Sequence, residues 1–360
     1  MVSIVVPVKN CADKIKSLLD SLMKIDYIKK KFEVIIVDGN STDNTREIVS
    51  QYPVILLTEE RKGLNAARNT GLEHSKGEII AFTDGDCVVP KNWLIKIVEN
   101  FQDKDVGCVG GSASRYYDDF LSQYSDESIM PVLRRFKKKK ILNKVKPPLQ
   151  YPAGCNMAVR REVFDRVGVF DESIEFGFDE DELVERICRA EYKMVLDPEV
   201  SIAHKHRSSV MELLRQTFRY GRGIGIVLKN KGLESVFSKW VLLSISGLIA
   251  WTLIMVSLAS LAILMPSFVS IALLAAFLLV PPAGLSLFYA YRIRFKSRKL
   301  SELVEYPLID IARSAVFVVG SLYQILRSRK VKTEFIILAL KLTTSDQKMA
   351  LAGLFVRHFR

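Results

Sequence analysis

Asp84 and Asp86 stand at the end of the stretch GEIIAFTDGDC, residues 77–87, with a single glycine between them. The apolar run before them, residues 79–82, has β propensity. Two carboxylates just past the C-terminal end of a parallel strand lie where open α/β sheets bind ligands. Hard divalent cations take carboxylate oxygens and bridge them to phosphates, so the pair is a candidate Mg²⁺ or Mn²⁺ site for a nucleoside diphosphate. An ordinary Asp-Gly turn has the same composition, so the rest of the chain has to separate the two readings.

Other residues offer complementary chemistry. Asp179, Glu180, Asp181 and Glu182 form a second acidic cluster at the start of a helix whose Leu183, Ile187 and Ala190 share a face. Acids there complement the helix dipole, and an acid at this point can equally serve as the general base of a transfer reaction. His204 and His206, two of only four histidines, follow an apolar stretch over residues 200–203. An imidazole at that strand end is a candidate third metal ligand; a solvent-facing loop is the other reading. Asp38, at the end of the second strand, can accept from a ribose or a base N–H, or can cap its own loop, DGNSTD. Lys62 and Arg68 are candidates for phosphate contacts. Arg219 can close over a diphosphate with its fork.

The elements that must position these groups follow an α/β rhythm. Strands are expected over residues 3–6, 32–37, 54–57 and 79–82. Helices are expected over residues 13–23, 44–50 and 65–75, the first with Ile15, Leu18, Leu19 and Leu22 on one face. Alternation of this kind predicts a mostly parallel sheet covered on both sides, with Asp38, Asp84 and Asp86 collected at one end. A helix over 93–101, strands over 107–112 and 158–160 and a helix from 162 continue the domain. Neither GxGxxG after the first strand nor GxxxxGK[ST] is present, which disfavours dinucleotide enzymes and P-loop ATPases. The lysine- and arginine-rich run from Arg134 and Arg135 through Lys137–140 to Lys144 and Lys146 reads as solvated surface, as a headgroup contact, or as a lid over the site.

Composition places the chain at a membrane. Its 360 residues are 49% hydrophobic and 26% charged, with a formal charge of +12 and a mean hydropathy of +0.15. Residues 240–264 and 267–291 carry no charge and exceed the length needed to cross hydrocarbon. Pro281-Pro282 is expected to kink or reset the second. Residues 209–228 form an amphipathic stretch with Arg215, Arg219 and Arg222, expected to lie in the interface plane. The basic loop Arg292, Arg294, Lys296, Arg298 and Lys299 is expected on the cytosolic side. Residues 306–326, with Asp310 and Arg313 inside and Arg327, Arg329, Lys330 and Lys332 after, can be interfacial, re-entrant or a third span. The depth of the tail, 335–359, stays open. The N-terminus lacks the pattern of a secretory signal, so the first domain is expected in the cytosol. Five scattered cysteines without CxxC fit a reducing compartment. No nucleic-acid motif is present, and membrane lipids are the expected partner of the basic surface.

Taken together these stretches resemble the membrane-bound inverting glycosyltransferases of family 2, which use the GT-A nucleotide-sugar fold. The resemblance covers roughly residues 1–225. VVPVKN resembles the strand and loop that hold the nucleobase, with Pro7, Val8 and Asn10. DGNSTDNT resembles D-[DG]-x-S-x-D-x-T, which puts Asp38 on the uracil or ribose. KGLNAARNTG followed by GEIIAFTDGD resembles the stretch whose Asp84 and Asp86 hold the metal. PAGCNMAVRREVFDRVGVFDE, with Gly154, Cys155 and Asn156, resembles the acceptor-side segment. DEDEL, Arg186-Ile187 and Ala190-Glu191-Tyr192 resemble E-D-x-[ED]-L-x-x-R-[LI]-x-x-A-G-Y, with the acids inverted and Glu191 in place of the glycine. That register makes Glu180 the general base, and a shift of one makes it Asp181. Gln216-Thr-Phe-Arg219-Tyr220 resembles the Q-x-x-R-W element, with Tyr for Trp.

The resemblance implies a GT-A domain over 1–208, in a nucleotide half, 1–112, and an acceptor half, 113–208. An interfacial segment, 209–237, a membrane domain, 238–330, and a tail, 331–360, would follow. It implies a nucleotide-sugar donor, UDP-sugar first, Mg²⁺ or Mn²⁺, and a lipid-linked sugar or glycan acceptor at the cytosolic membrane face. Transfer to a polyprenyl phosphate, a membrane-bound nucleotidyltransferase, and a non-catalytic scaffold are the competing expectations.

Overall fold

The computed structural model describes residues 1–130, 133–145, 150–293 and 299–327. The expectations that rest on Lys146, Arg294, Lys296, Arg298, Arg329, Lys330, Lys332 and the tail lie outside these described residues. The first ninety residues fold as their periodicity predicts. β1 (Val2–Val8), α1 (Ile15–Met23), β2 (Phe32–Asp38), α2 (Thr45–Val49), β3 (Ile55–Thr58), α3 (Leu64–Glu73) and β4 (Ile79–Phe82) alternate along the chain. The four strands are parallel, in the order β3-β2-β1-β4. Ile15, Leu18, Leu19 and Leu22 of α1 are all fully buried against this sheet. Burying each such side chain contributes about 1.5–3 kcal/mol.

The sheet continues as a mixed one. Next come β5 (Cys87–Val88), α4 (Trp93–Asn100), β6 (Val106–Arg115), α5 (Phe120–Glu127), β7 (Lys140–Leu142), β8 (Met157–Arg160), α6 (Arg161–Val167), α7 (Asp179–Arg189) and β9 (Lys193–His204). β8 runs antiparallel between β4 and β6, while β6 and β9 are parallel. The short β5 and β7 both pair antiparallel with β9, completing nine strands. β9 is longer than the apolar stretch 200–203 suggests, because it continues through Asp197-Pro198 where its register against β6 shifts. The pairing of Cys87 with His204 brings the turn carrying Asp84 and Asp86 beside the end of β9.

Four helices complete the described chain: α8 (Val210–Lys231), α9 (Val236–Leu264), α10 (Phe268–Ile293) and α11 (Glu302–Arg327). By length and composition α9, α10 and α11 are each able to cross a membrane, with window hydropathies of 2.2, 2.2 and 1.4. Pro281 and Pro282 lie inside α10 without ending it. α8 buries Leu213, Ile224, Ile226, Val227 and Leu228 in protein, while Val210 and Met211 at its start stay exposed. α11 packs along it closely enough that a Cβ on Gly221 would lie 2.2 Å from the carbonyl oxygen of Phe317.

Candidate active site

A cleft open to solvent lies where the ends of β4 and β9 meet the start of α7 and the middle of α8. Asp84, Asp86 and His204 line one part of it, and Asp179, Glu180, Gln216 and Tyr220 another. Nε2 of His204 is 3.3 Å from Oδ1 of Asp86. Asp84 leaves about a third of its side chain exposed (32%), yet its Oδ1 has no hydrogen-bond partner. Burial raises the Asp84 carboxyl above the ordinary carboxylate range; Arg68 works against this and the Asp86 charge adds to it. Burial also acts on Asp86, but His204, Arg207 and Lys14 outweigh it and hold that carboxyl low.

A carboxylate oxygen that accepts no hydrogen bond and has only the Arg68 guanidinium 3.6 Å away, beside an ionised carboxylate and an imidazole, suits a hard divalent cation. The ligand atoms that converge are those of Asp86, Cys87 and His204, all within 4.8 Å of one another. Cys87 is the poor member. Burial pushes its thiol well above the ordinary value, so it stays neutral and soft where the chemistry calls for oxygen. Asp84 supplies the harder oxygen donor by type, but it is not in that converging group. His206 packs against His204, with ring centroids 4.9 Å apart, but its Nε2 is 3.5 Å from Oδ1 of Asp126 and it does not line the cleft.

Two buried arginines tie the acids together. Arg68 donates through Nη1 to Asp179, and its Nη2 lies 3.6 Å from Asp84. Its guanidinium is thus held between two carboxylates, and it lines the cleft in that position. Arg134 comes out of the basic run read as solvated surface, headgroup contact or lid, and it lines the cleft. It donates to Glu180 and Asp181 at 3.4 Å each and stacks 3.9 Å above the Tyr151 ring. Burial raises Asp179 to about 7, with Glu180 adding and Arg68 opposing. Glu180 goes the other way: burial is outweighed by Arg134 and Arg68, so its carboxyl is lowered. Glu180 reaches the cleft and Asp181 does not. The acids begin α7 behind Gly177 and Phe178, both in left-handed conformations, a turn that swings Asp179 and Glu180 inward.

The loops after β1 and β2 adjoin this cleft. Val8 pairs with Asp38 across β1 and β2, and the turn between Asp84 and Asp86 sits against Val8 and Cys11. Pro7 is the β1 residue before Val8. Asn10, left-handed at φ 48°, accepts from the Thr42 N–H and interlocks the two loops. Asp38 is fully buried; its Oδ2 accepts from the Ser41 N–H and from Arg46, while its Oδ1 has no partner. That oxygen has no partner within the described chain, but Asp38 itself does not line the cleft.

Several expected contacts fall elsewhere. Lys62 is exposed and outside the cleft lining. Arg219 stacks 4.0 Å from the Phe176 ring instead of facing the cleft. Gly154 and Cys155 line the cleft, but Asn156 is fully buried. Its side chain is used inside, accepting from Trp93 and donating to the carbonyls of Ser112 and Val200. Arg207, 3.9 Å from Asp86, also lines the cleft. The sequence signals it only as the residue after His204-Lys-His206.

Comparison with known proteins gives the family and the fold. The profile described as "Glycosyl transferase family 2" matches residues 3–168. Glycosyltransferase AglE of Haloferax volcanii is 33% identical over 238 residues, which cover 62% of this chain and 72% of AglE. EpsJ of Bacillus subtilis, described as an uncharacterized glycosyltransferase, is 26% identical over 228 residues, 59% of this chain and 63% of EpsJ. In fold, the chain resembles the mannosyltransferase PcManGT of Pyrobaculum calidifontis, solved with GDP-Man and Mn²⁺. The TM-score is 0.61 at 24% identity, covering 88% of this chain and 86% of that one.

Proposed function

This chain belongs to glycosyl transferase family 2, and from that premise we propose that it moves a sugar from a nucleoside diphosphate to a lipid-linked glycan at the cytosolic membrane face. One observation carries the reading: a single cleft is lined by Asp84, Asp86 and His204 and also by Glu180. A leaving diphosphate and an acceptor hydroxyl can therefore share one space. Asp84, Asp86 and His204 would hold the divalent ion. Bound there, Mg²⁺ or Mn²⁺ neutralises charge on the departing diphosphate. Asp38 offers its free Oδ1 to the base or ribose. Glu180, kept ionised by Arg134 and Arg68, takes the proton of the attacking hydroxyl. Attack from the face opposite the leaving group inverts the sugar.

Arg68 lies between Asp84 and Asp179 and so links the donor and acceptor ends of the cleft. UDP-sugar is the first expectation for the donor; the GDP-Man in the PcManGT structure makes a GDP-sugar the second. The apolar α9 and α10 tether the cleft beside the bilayer, where amphiphilic acceptors concentrate.

The test is a donor panel of UDP- and GDP-sugars with purified protein, Mn²⁺ and a membrane lipid extract, followed by mass spectrometry. Label from the sugar should enter a lipid product. Label entering from the nucleotide instead would establish a nucleotidyltransferase. Full transfer to a polyprenyl phosphate by Glu180→Gln would show that the acceptor is an anion needing no base.

A further inference from the structure

Asp310 and Arg313 sit in the middle of α11, the least apolar of the three long helices, and both are buried. Asp310 accepts from Ser128 at 2.7 Å, Tyr124 at 2.6 Å and Tyr289. Arg313 donates to the Met130 carbonyl at 2.9 Å, Ser128 at 3.1 Å and Thr217 at 3.2 Å. All of these partners except Tyr289 belong to α5, the residues just after it, or α8. The centre of α11 is thus pinned to the α/β domain and to the helix that leads out of it.

We infer that α11 lies flat in the cytosolic membrane interface instead of crossing the bilayer, with its outer apolar stripe against lipid. This rests on reading α9 and α10 as a hairpin that crosses and returns. Both ends of that hairpin are fastened to the α/β domain: Ser235 donates to Glu185 before α9, and Arg292 donates to Glu127 near the end of α10. The turn between them lies about 40 Å away, at 1.5 Å per helical residue.

The packing of α11 on α8 decides its orientation. The two helices run side by side: Tyr306 clusters with Leu213, Arg313 bonds Thr217, and Ile325 meets Leu228. The opposite side of α8 belongs to the cleft and its surround. Gln216 and Tyr220 line the cleft, and Asn230 bonds Asp171 and Ser173. Helices in contact lie 8–10 Å apart. If α11 stood across the hydrocarbon, α8 would stand there too. Asp84, Asp86, Glu180 and Arg68 would then sit at hydrocarbon depth, at a cost of several kcal/mol for each unscreened charge.

The outward face of α11 has the chemistry of the alternative. Val304, Leu308, Ile311, Ala315, Val319, Tyr323 and Leu326 are exposed at spacings of three and four, a single stripe along the helix. Exposed charges on α11 fall near its ends, at Glu305 and Arg327. A helix with one polar, protein-bound face and one continuous apolar face suits the boundary between headgroups and acyl chains. α8 and α11 then form a two-helix floor between the cleft and the lipid.

The full chain in sealed vesicles tests this, using Met265→Cys between α9 and α10, Ser301→Cys before α11 and Arg327→Cys at its end. A membrane-impermeant maleimide is applied from each side, with the parent protein's own labelling subtracted. Residues 301 and 327 should both label from the cytosolic side, and 265 only from the other. Residue 327 labelling only from the side of 265 would overturn the inference while leaving the hairpin intact. Residue 265 labelling from the cytosolic side would overturn the hairpin, and the inference with it. As a second readout, bimane at Leu308→Cys, Val319→Cys and Leu326→Cys should be quenched at least twofold more by lipids brominated near the headgroup than by lipids brominated near the chain end. A depth gradient along the three sites would reject the flat orientation.

Discussion

Nη1 of Arg134 lies 3.4 Å from Oε1 of Glu180, a contact that joins a lysine-rich segment to the start of α7. It gives Glu180 a neighbour that favours the ionised state a base needs. Arg134 and Arg68 together outweigh burial and lower this carboxyl.

Arg134→Gln should therefore raise the Glu180 pKa. A base works only when ionised, so the acidic limb of kcat/KM should move to higher pH, while activity well above the limb falls less. Arg134→Lys should shift it by a smaller amount, since one charge remains without the fork. The check is a pH–rate profile for all three proteins, with thermal melts to confirm folding. An acidic limb that stays in place would remove Glu180 from the role of base.

Asp84→Asn and Asp86→Asn should each lower kcat by at least about 100-fold, the scale of losing one fixed charge partner at a developing anion. Chelation should abolish turnover in the parent, and added Mn²⁺ should restore it. A readout independent of turnover is the affinity for free nucleoside diphosphate. Mn²⁺ should strengthen it in the parent and leave it nearly unchanged in the Asn variants. Unimpaired turnover after thorough chelation would discard the metal assignment.

The residues of this site were legible in proportion to how local their causes are. β1 to β4 and α1 to α3 declare themselves through apolar spacing, and the paired aspartates sit at a strand end that any α/β reading finds. β5 and β7, two and three residues long, carry no period to read. β9 runs through a proline that reads as a strand end; only its pairing with β6 carries it past. Arg134 was hidden by composition. Among lysines it reads as surface, headgroup contact or lid, and the acids it meets are 46 and 47 positions away. Asn156 fell in a segment that resembles an acceptor wall, yet three hydrogen bonds to Trp93, Ser112 and Val200 make it a brace inside that wall.

Asp38 offers a test of the nucleotide end by itself. Oδ1 is buried without a partner, while Oδ2 is held by Ser41 and Arg46. Asp38→Asn should weaken binding of the free nucleoside diphosphate by about 10- to 100-fold, the worth of a hydrogen bond to a charged group. Titration calorimetry in the presence of Mn²⁺ measures it. Unchanged affinity in a variant that melts like the parent would return Asp38 to a purely local role in its loop.

Glu191 occupies the position where the resembled pattern has glycine, and the backbone explains why. Its φ is +69°, in the left-handed region, directly after α7. The N–H of Glu191 bonds the Cys188 carbonyl at 3.1 Å, and that of Tyr192 reaches the Ile187 carbonyl at 3.4 Å. These are the two bonds of a helix end that glycine closes without strain. An L residue there costs roughly 1–2 kcal/mol, partly offset because glycine loses more chain entropy on folding, about 0.5–1 kcal/mol. Glu191→Gly should therefore stabilise the protein slightly, and Glu191→Ala should not, since alanine removes the side chain but keeps the strain. The comparison of interest is Gly against Ala, with the unfolding midpoint as readout and kcat as control. Glycine should be more stable than alanine by roughly 0.5–1 kcal/mol, with turnover unchanged, because residue 191 lies at the far end of α7 from Glu180. If alanine proves as stable as glycine, the left-handed turn carries no strain, and the glycine of the pattern needs another cause.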